Sequence, residues 1–376
     1  MLIDDIALTL QPNIGPKSAI HLIERFGSAG ELFSLPAAEI AKRAGINRKM
    51  AEALAGKSYH GQAEREIRFL QKYNIHAFIS TALEYPPLLR ECADYPHVLY
   101  VKGDPALLQR RTIAFTGTRN ITSYGSKMCK TLITRLGELL PGVAIVSGLS
   151  YGAEVACHQA ALAAGIPSIA VLSHGLKTIY PARHTDIARD IVYSGGVLLT
   201  EFHSTYTPTN AIFLQRNRIV AGLTEGTVII ESPADGGSLT TAELAFGYHR
   251  CVMAVPGRAT DKSSEGTNNL IKGLKARMVC SAEDILQELN WESAAKRPAG
   301  GAKATGDLQS STQKARPPIG KDEEGLLGCF RDQYIATADE LSEESGLSLS
   351  ALAPLLLNLE MAGRVRLLPG NRYELL

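Results

Sequence analysis

The segment Phe213-Leu-Gln-Arg-Asn-Arg-Ile-Val-Ala-Gly222 puts an aromatic ring, two arginines and an asparagine into a run otherwise apolar enough to be core. Arginine is rarely buried without a partner. Arg216 and Arg218, two positions apart, therefore suggest either an anion site or charges locked to carboxylates. Phe213 adds a third idea: a base stacked on the ring with its phosphates on arginine, as single-stranded nucleic acid is commonly held. The competing reading is structural, with the arginines paired to Glu201 or Glu231, each of which ends a candidate strand. On a helix, Phe213, Arg216, Asn217 and Val220 share a face, while Arg218 points the other way. Phe213, Arg216 and Asn217 are thus assigned to one pocket. Arg218 goes to a structural ion pair or a partner, and Asn210 is placed to cap the helix.

Three other stretches could hold an anion. They are Phe115-Thr-Gly-Thr-Arg119 with Ser123-Tyr-Gly125, then Val146-Ser-Gly-Leu-Ser-Tyr-Gly152, then Gly236-Gly-Ser-Leu-Thr-Thr241. Each is a small-residue loop between a candidate strand and a helix start, where orphan N–H groups and the helix dipole favour negative charge. Gly117 permits a tight turn, Thr118 supplies a hydroxyl and Arg119 a fork suited to phosphate. None of the loops is the G-x-G-x-x-G dinucleotide fingerprint or the G-x-x-x-x-G-K-[ST] P-loop, so no cofactor is expected. Lys177, after the third strand, either adds a phosphate contact or is simply solvated. His158 suits a core or capping role. No Ser/Cys–His pair or metal-ligand cluster accompanies Glu201 and Glu231, which read as orienting groups for Arg216 and Arg218 rather than catalysts.

These loops need a sheet to aim them. Residues 111–290 alternate β-branched runs with helical patterns. The strand candidates are Thr112–Phe115, Ala144–Val146, Ser168–Leu172, Val197–Thr200, Thr227–Ile230 and Val252–Val255. Helical patterns such as Lys127–Leu140 and Glu154–Ala164 fill the gaps. Buried strands alternating with helices predict an α/β fold, a doubly wound, extended Rossmann-like parallel sheet, over residues 71–292. Residues 1–70 read as a helical domain of helix-hairpin-helix or SAM-like kind. Asn13-Ile-Gly-Pro-Lys-Ser18 and Ala44-Gly-Ile-Asn-Arg-Lys49 each open a helix. Such turns can hold a DNA phosphate, or can simply build a small bundle.

Residues 293–320 are rich in Ala, Gly, Pro, Ser, Thr and Lys without hydrophobic period, the composition of a disordered linker. Residues 321–376 suit a winged helix. Helices are predicted at Glu323–Gln333, Thr337–Glu344 and Ser350–Ala362, with a capping box from Thr337 and Glu340. Strands at Arg364–Leu368 and Tyr373–Leu376 flank a Pro369-Gly-Asn371 turn. The third helix has no Lys or Arg, and five basic against ten acidic residues leave this tail at −5. Repulsion from duplex phosphates makes a protein-contact module the better reading.

The chain has 376 residues, 45% of them hydrophobic, and a net charge of +1, which excludes a generally basic coat. Nucleic acid, if bound, occupies a local pocket. No apolar run approaches the ~18 residues that span a bilayer. The start Met1-Leu-Ile-Asp-Asp5 is acidic where an export signal is positive. The six cysteines form no CxxC pair, so neither disulfide framework nor zinc is indicated. A cytoplasmic setting without membrane contact is expected.

The ordered motifs resemble the DNA-processing protein A (DprA/Smf) family. They are Thr116-Gly-Thr-Arg119 with Ser123-Tyr-Gly125, Ser147-Gly-Leu149 with Gly152, and Tyr180-Pro181. After them come Arg216-Asn-Arg-Ile-Val-Ala-Gly222, Gly237-Ser-Leu-Thr-Thr-Ala242, and Ala254-Val-Pro-Gly257 with Gly266-Thr-Asn268. The resemblance covers roughly residues 80–290. It implies a non-enzymatic protein that binds single-stranded DNA and forms a homodimer through the Rossmann-like domain. It further implies protection of incoming DNA during natural transformation (competence) and DNA recombination, and loading of RecA recombinase. Carried over by motif, Gly117, Thr118 and Arg119 form the phosphate loop and Phe213 stacks a base. Arg216 and Asn217 line the pocket with Ser147, Gly148, Gly152, Gly237 and Ser238. Glu154 stands where the family's usual residue is Asp, and Lys177 where an acidic residue is common. The family's frequent Lys near Asn210 is missing, which shifts that contact to Lys177 and Arg183. A second reading sees Gly236-Gly-Ser-Leu-Thr-Thr-Ala-Glu243 as similar to nucleoside-monophosphate phosphoribohydrolases, with Glu243 as acid.

Overall fold

Short β-branched runs bounded by turns make the strands, and their period of two sends alternate side chains to opposite faces. In the computed structural model this is visible in the central strand. Ile113 and Phe115 enter one core with Leu132 and Leu136, while Ala114 enters another with Ile219 and Val220. The structure describes residues 2–207, 210–292, 321–330, 335–361, 364–368 and 372–375. The predicted linker 293–320, the Pro369–Asn371 turn and the Asn210 side chain lie outside them.

Two compact units form, residues 1–299 and residues 300–376. The first opens with six helices: α1 (Leu2–Thr9), α2 (Pro16–Phe26), α3 (Ala29–Ser34), α4 (Ala37–Ala44), α5 (Arg48–Ala55) and α6 (His60–Lys72). Both predicted turn-to-helix starts are present, at Gly15 before α2 and at Asn47 before α5, where the Asn47 side chain accepts from the Met50 N–H. These helices are fastened to the sheet. They share a core with Val98 and Tyr100. Asp5 accepts from His97, and Glu66 receives both the Ser204 N–H and its hydroxyl.

The sheet then runs β1 (His76–Ile79), α7 (Pro87–Arg90), β2 (Val98–Gly103), β3 (Thr112–Thr116), α8 (Ser123–Leu139), β4 (Ala144–Gly148), α9 (Ala153–Ala163), β5 (Ser168–Val171) and α10 (Thr185–Tyr193). It continues as β6 (Val197–Thr200), α11 (Asn210–Gly222), β7 (Gly226–Ile229), α12 (Gly237–Gly247), β8 (Cys251–Ala254), α13 (Glu265–Lys272), β9 (Arg277–Met278) and α14 (Ala282–Glu288). The strand order is β1-β2-β6-β5-β4-β3-β7-β8-β9. All six predicted strands are there, and their neighbours pair in parallel. Three strands were not foreseen. β9 is two residues long, and β1 and β2 add an antiparallel edge beyond β6. The sheet is therefore mixed, because a hairpin-like pair before β3 caps the edge that the N-terminal helices cover.

The second unit holds α15 (Lys321–Gly328), β10 (Ile335–Thr337), α16 (Ala338–Ser345), α17 (Leu349–Met361), β11 (Val365–Leu368) and β12 (Arg372–Leu375). The capping box is formed by Thr337 and Glu340 as expected. β11 and β12 pair antiparallel as a wing, and β10, not foreseen, adds a third strand. Leu326, Phe330, Leu341, Leu352, Leu356 and Leu359 make its core.

Candidate functional site

The strand order reverses between β3 and β7, and doubly wound sheets bind ligands beyond the strand carboxyl ends at such a point. A cleft of about 310 Å³ opens there. Gly117, Thr118 and Arg119 line it from the loop after β3, and Phe213, Arg216 and Asn217 from one face of α11. Gly237 and Ser238 line it from the start of α12. The helix-face argument is thus realised, and so is its exclusion of Arg218. That residue turns to the opposite side and pairs with buried Glu201.

Three of the expected pocket residues sit behind the cleft instead. Ser147 is fully buried, and its hydroxyl donates to the Phe115 carbonyl at 2.6 Å. Gly148 lies against the Arg216–Glu154 pair, where a Cβ would come within 1.4 Å of Arg216 Nη1. Gly152, at φ 75°, lets two loops touch. A Cβ there would meet the Thr118 carbonyl, which the neighbouring Ala153 N–H reaches at 3.0 Å. Lys177 is exposed and outside the cleft lining. Arg183 is exposed too, with its guanidinium 5.7 Å from the Tyr151 ring, which does line the cleft.

Arg216 is 2% exposed, and its partner is neither Glu201 nor Glu231. Its Nη2 donates to both oxygens of Glu154 at 3.1 Å, and Nη1 to the Val171 carbonyl at 3.2 Å. Burial by itself would raise the Glu154 carboxyl, but the Arg216 guanidinium and the Ser150 N–H outweigh it and hold the group below its ordinary range. Arg216 therefore reaches the cleft wall with its charge already balanced, and direct capture of phosphate is not its part in this geometry. Glu231 corrects a second expectation. It accepts from the Thr122 N–H at 2.9 Å and the Thr122 hydroxyl at 2.6 Å. A carboxylate thus occupies the N-terminus of α8, and that end is closed to a ligand anion.

What remains open to an anion is specific. α12 starts at Gly236 without a side-chain cap, and among the described residues nothing accepts from the Gly237 and Ser238 N–H groups. Arg119 is exposed, makes no ion pair among the described residues, and stands 5.3 Å over the Phe213 ring. Tyr180 lies 5.8 Å from the same ring. Fixed cations, open N–H groups and half-exposed rings are the parts that hold a phosphate chain and its bases.

Buried histidines stiffen the back wall. Burial pushes His158 down to about 4, so it is neutral; Nε2 donates to the Gly148 carbonyl and Nδ1 accepts from Ser168. His174, also lowered by burial, accepts the Tyr180 N–H at 3.0 Å and so sets the approach of that ring. Sequence reasoning missed Tyr151, Leu214 and Pro233 in the lining, and Glu154 as the Arg216 partner. An aromatic inside a glycine-rich loop was the available sign for Tyr151. Glu243 is exposed on α12 and outside the cleft lining, so the phosphoribohydrolase comparison loses its acid. No group of three or more metal-ligating side chains occurs among the described residues, and no helix among them is long and apolar enough to cross a membrane.

Comparison with known proteins gives a consistent set. Residues 76–290 match the family model of DNA recombination-mediator protein A, and residues 310–371 match the DprA winged helix domain. Protein Smf of Escherichia coli is 33% identical over 320 residues, 83% of this chain and 80% of that protein. The X-ray structure of DNA processing protein A from Streptococcus pneumoniae superposes with a TM-score of 0.67 at 30% identity, covering 77% of this chain and 98% of that one. DNA processing protein A from Helicobacter pylori, a structure reported for its unique single-stranded DNA binding mode, gives 0.52 at 27% identity over 58% and 96%.

Proposed function

The chain belongs to the DNA recombination-mediator protein A family, and from that premise we propose that it binds single-stranded DNA in the strand-end cleft without catalysing a reaction on it. The observation that carries the proposal is Arg119, uncommitted and poised over Phe213 beside the uncapped start of α12. A phosphate bridging Arg119 and the α12 N–H groups leaves the adjoining base free to lie on Phe213. A duplex has its bases stacked inside and cannot offer one to the ring. The cleft's carboxylate, Glu154, is consumed by Arg216 and Ser150, which argues for binding rather than acid–base chemistry.

The finer parts follow from the family. We propose that the protein protects incoming DNA during natural transformation and hands it to the RecA recombinase, in line with the family's description as a recombination mediator. Pairing of two copies through the sheet edge is supported by β9, an edge strand with Met278 56% exposed, near Leu274 at 89% and Phe246 at 65%. Six free thiols suit a reducing cytoplasm.

The test is a titration of single-stranded and duplex oligonucleotides at several salt concentrations, with Arg119→Ala as the variant. The single strand should bind more tightly, with affinity falling as salt rises. Arg119→Ala should weaken binding and flatten the salt slope by about 0.7 per lost phosphate contact. Equal affinity for both DNA forms, or an Arg119→Ala variant that binds as the parent does, would overturn the proposal.

A further inference from the structure

The cleft carries a second pairing of aromatic ring and guanidinium. Tyr151 stands in the Ser150-Tyr151-Gly152 turn between β4 and α9, lines the cleft, and is 41% exposed. The Arg183 guanidinium lies over its ring at 5.7 Å, as that of Arg119 lies over Phe213 at 5.3 Å. Both distances are near the ~6 Å limit of a cation–π contact, so each ring holds its guanidinium loosely. Arg183 is exposed and, among the described residues, makes no ion pair. The nearest acid along the chain, Asp186, is engaged by Arg189 at 2.8 Å.

The Tyr151 ring is positioned from two sides. His184, at the start of α10, meets it edge-on with centroids 5.1 Å apart, and donates from Nδ1 to the Leu149 carbonyl at 2.9 Å. His184 is itself buried, so this support is rigid. On the other side Gly152 brings the turn against the Gly117–Arg119 loop, where the Ala153 N–H donates to the Thr118 carbonyl at 3.0 Å. Arg119 and Tyr151 are thus carried by loops bonded to each other. Their spacing is set before a ligand arrives, which lowers the ordering cost of binding.

We propose that Tyr151 is a second base platform and Arg183 the cation for its phosphate, so that the cleft takes two neighbouring nucleotides of a single strand. One base lies on Phe213 with its phosphate on Arg119. The next lies on Tyr151, and Arg183 leaves the ring for the adjoining phosphate. The proposal rests on the reading of the first pair and extends it by one nucleotide. The carboxylate in the cleft lining, Glu154, is balanced by Arg216 and does not oppose the second phosphate. Every base has a π face, so this position tells single strand from duplex but not one base from another.

Oligo-dT of about 16 nucleotides, titrated against the full chain at several salt concentrations, tests this. Tyr151→Ala should bind roughly five- to a hundredfold more weakly, the loss of one stacked base, with the salt slope unchanged. Arg183→Gln, at an exposed position, should weaken binding and flatten the slope by about 0.7. Tyr151→Trp puts an indole on the platform, and its emission should fall as thymine stacks on it. Trp291 is buried and supplies a constant background. An indole emission that saturating oligo-dT leaves unchanged means that Tyr151 only supports its loop, and overturns the proposal even where Tyr151→Ala weakens binding. If either Tyr151→Ala or Arg183→Gln binds as the parent does while Arg119→Ala binds weakly, the second platform is overturned and the first pair stands. If Arg119→Ala and Phe213→Ala are silent as well, the first reading falls with it.

Discussion

Glu154→Gln is the sharpest probe of the site's back wall. The substitution keeps the size of the side chain and an oxygen to accept from the Ser150 N–H, and it removes the negative charge that balances Arg216. Side-chain exposure is 3% for Arg216 and 9% for Glu154, so water replaces little of what is lost. Leaving one member of a buried pair uncompensated costs about 3–5 kcal/mol, and retention of the Ser150 contact puts this variant near the lower end. The pH dependence gives a second handle. The folded-state carboxyl lies below its ordinary range. Its contribution is therefore complete above the unfolded-state value and disappears as pH falls through the lower folded value. The gap between parent and variant should be widest near neutrality and close in acid. Trp291 is the chain's single tryptophan and is buried in the sheet core, so its fluorescence follows unfolding of the first unit in urea. A gap below about 1 kcal/mol, the size of an exposed pair, or one that does not move with pH, would refute the account. The variant should still bind single-stranded DNA at least as well as the parent, because the Arg216 charge is released toward the cleft.

Phe213→Ala should cost about 1–3 kcal/mol of single-strand affinity with little effect on the salt slope, since stacking and not charge is removed; a loss confined to the salt slope would place the ring outside the base contact. Removal of residues 321–376, which carry net charge −5, should leave single-strand affinity nearly unchanged. A large loss in an equilibrium binding titration of the shortened chain would refute a protein-contact role for that unit.

Much of this arrangement was legible from residue order. β-branched runs alternating with helical patterns marked six strands, and the Thr337 and Glu340 spacing marked a helix start that forms as written. Helix periodicity separated Arg216 from Arg218 because positions two apart on a helix lie about 200° around its axis. Strands β1 and β2 escaped notice because short antiparallel edge strands lack the strand–helix alternation that signalled the rest. For Lys177 the two alternatives stayed open in the sequence, because a loop's residues do not say which way the loop turns; the fold leaves it exposed and outside the cleft lining.

What the sequence determined by itself was the kind of parts: strand-end glycine loops, an aromatic beside arginines, and a helix face that collects them. Those are local properties, set by backbone freedom and by the 3.6-residue turn. Tertiary structure decided the pairing of charges. Glu154 and Arg216 stand 62 residues apart, and the sheet brings them together against the bare backbone of Gly148. Glu231 came within reach of Arg216 in the sequence reading, yet the fold sends it to Thr122 and closes α8. Which cations stay free for a ligand depends on which carboxylates the fold spends elsewhere. Among the described residues Arg119 at the cleft is left without an ion pair, and that could be seen only once those carboxylates were placed.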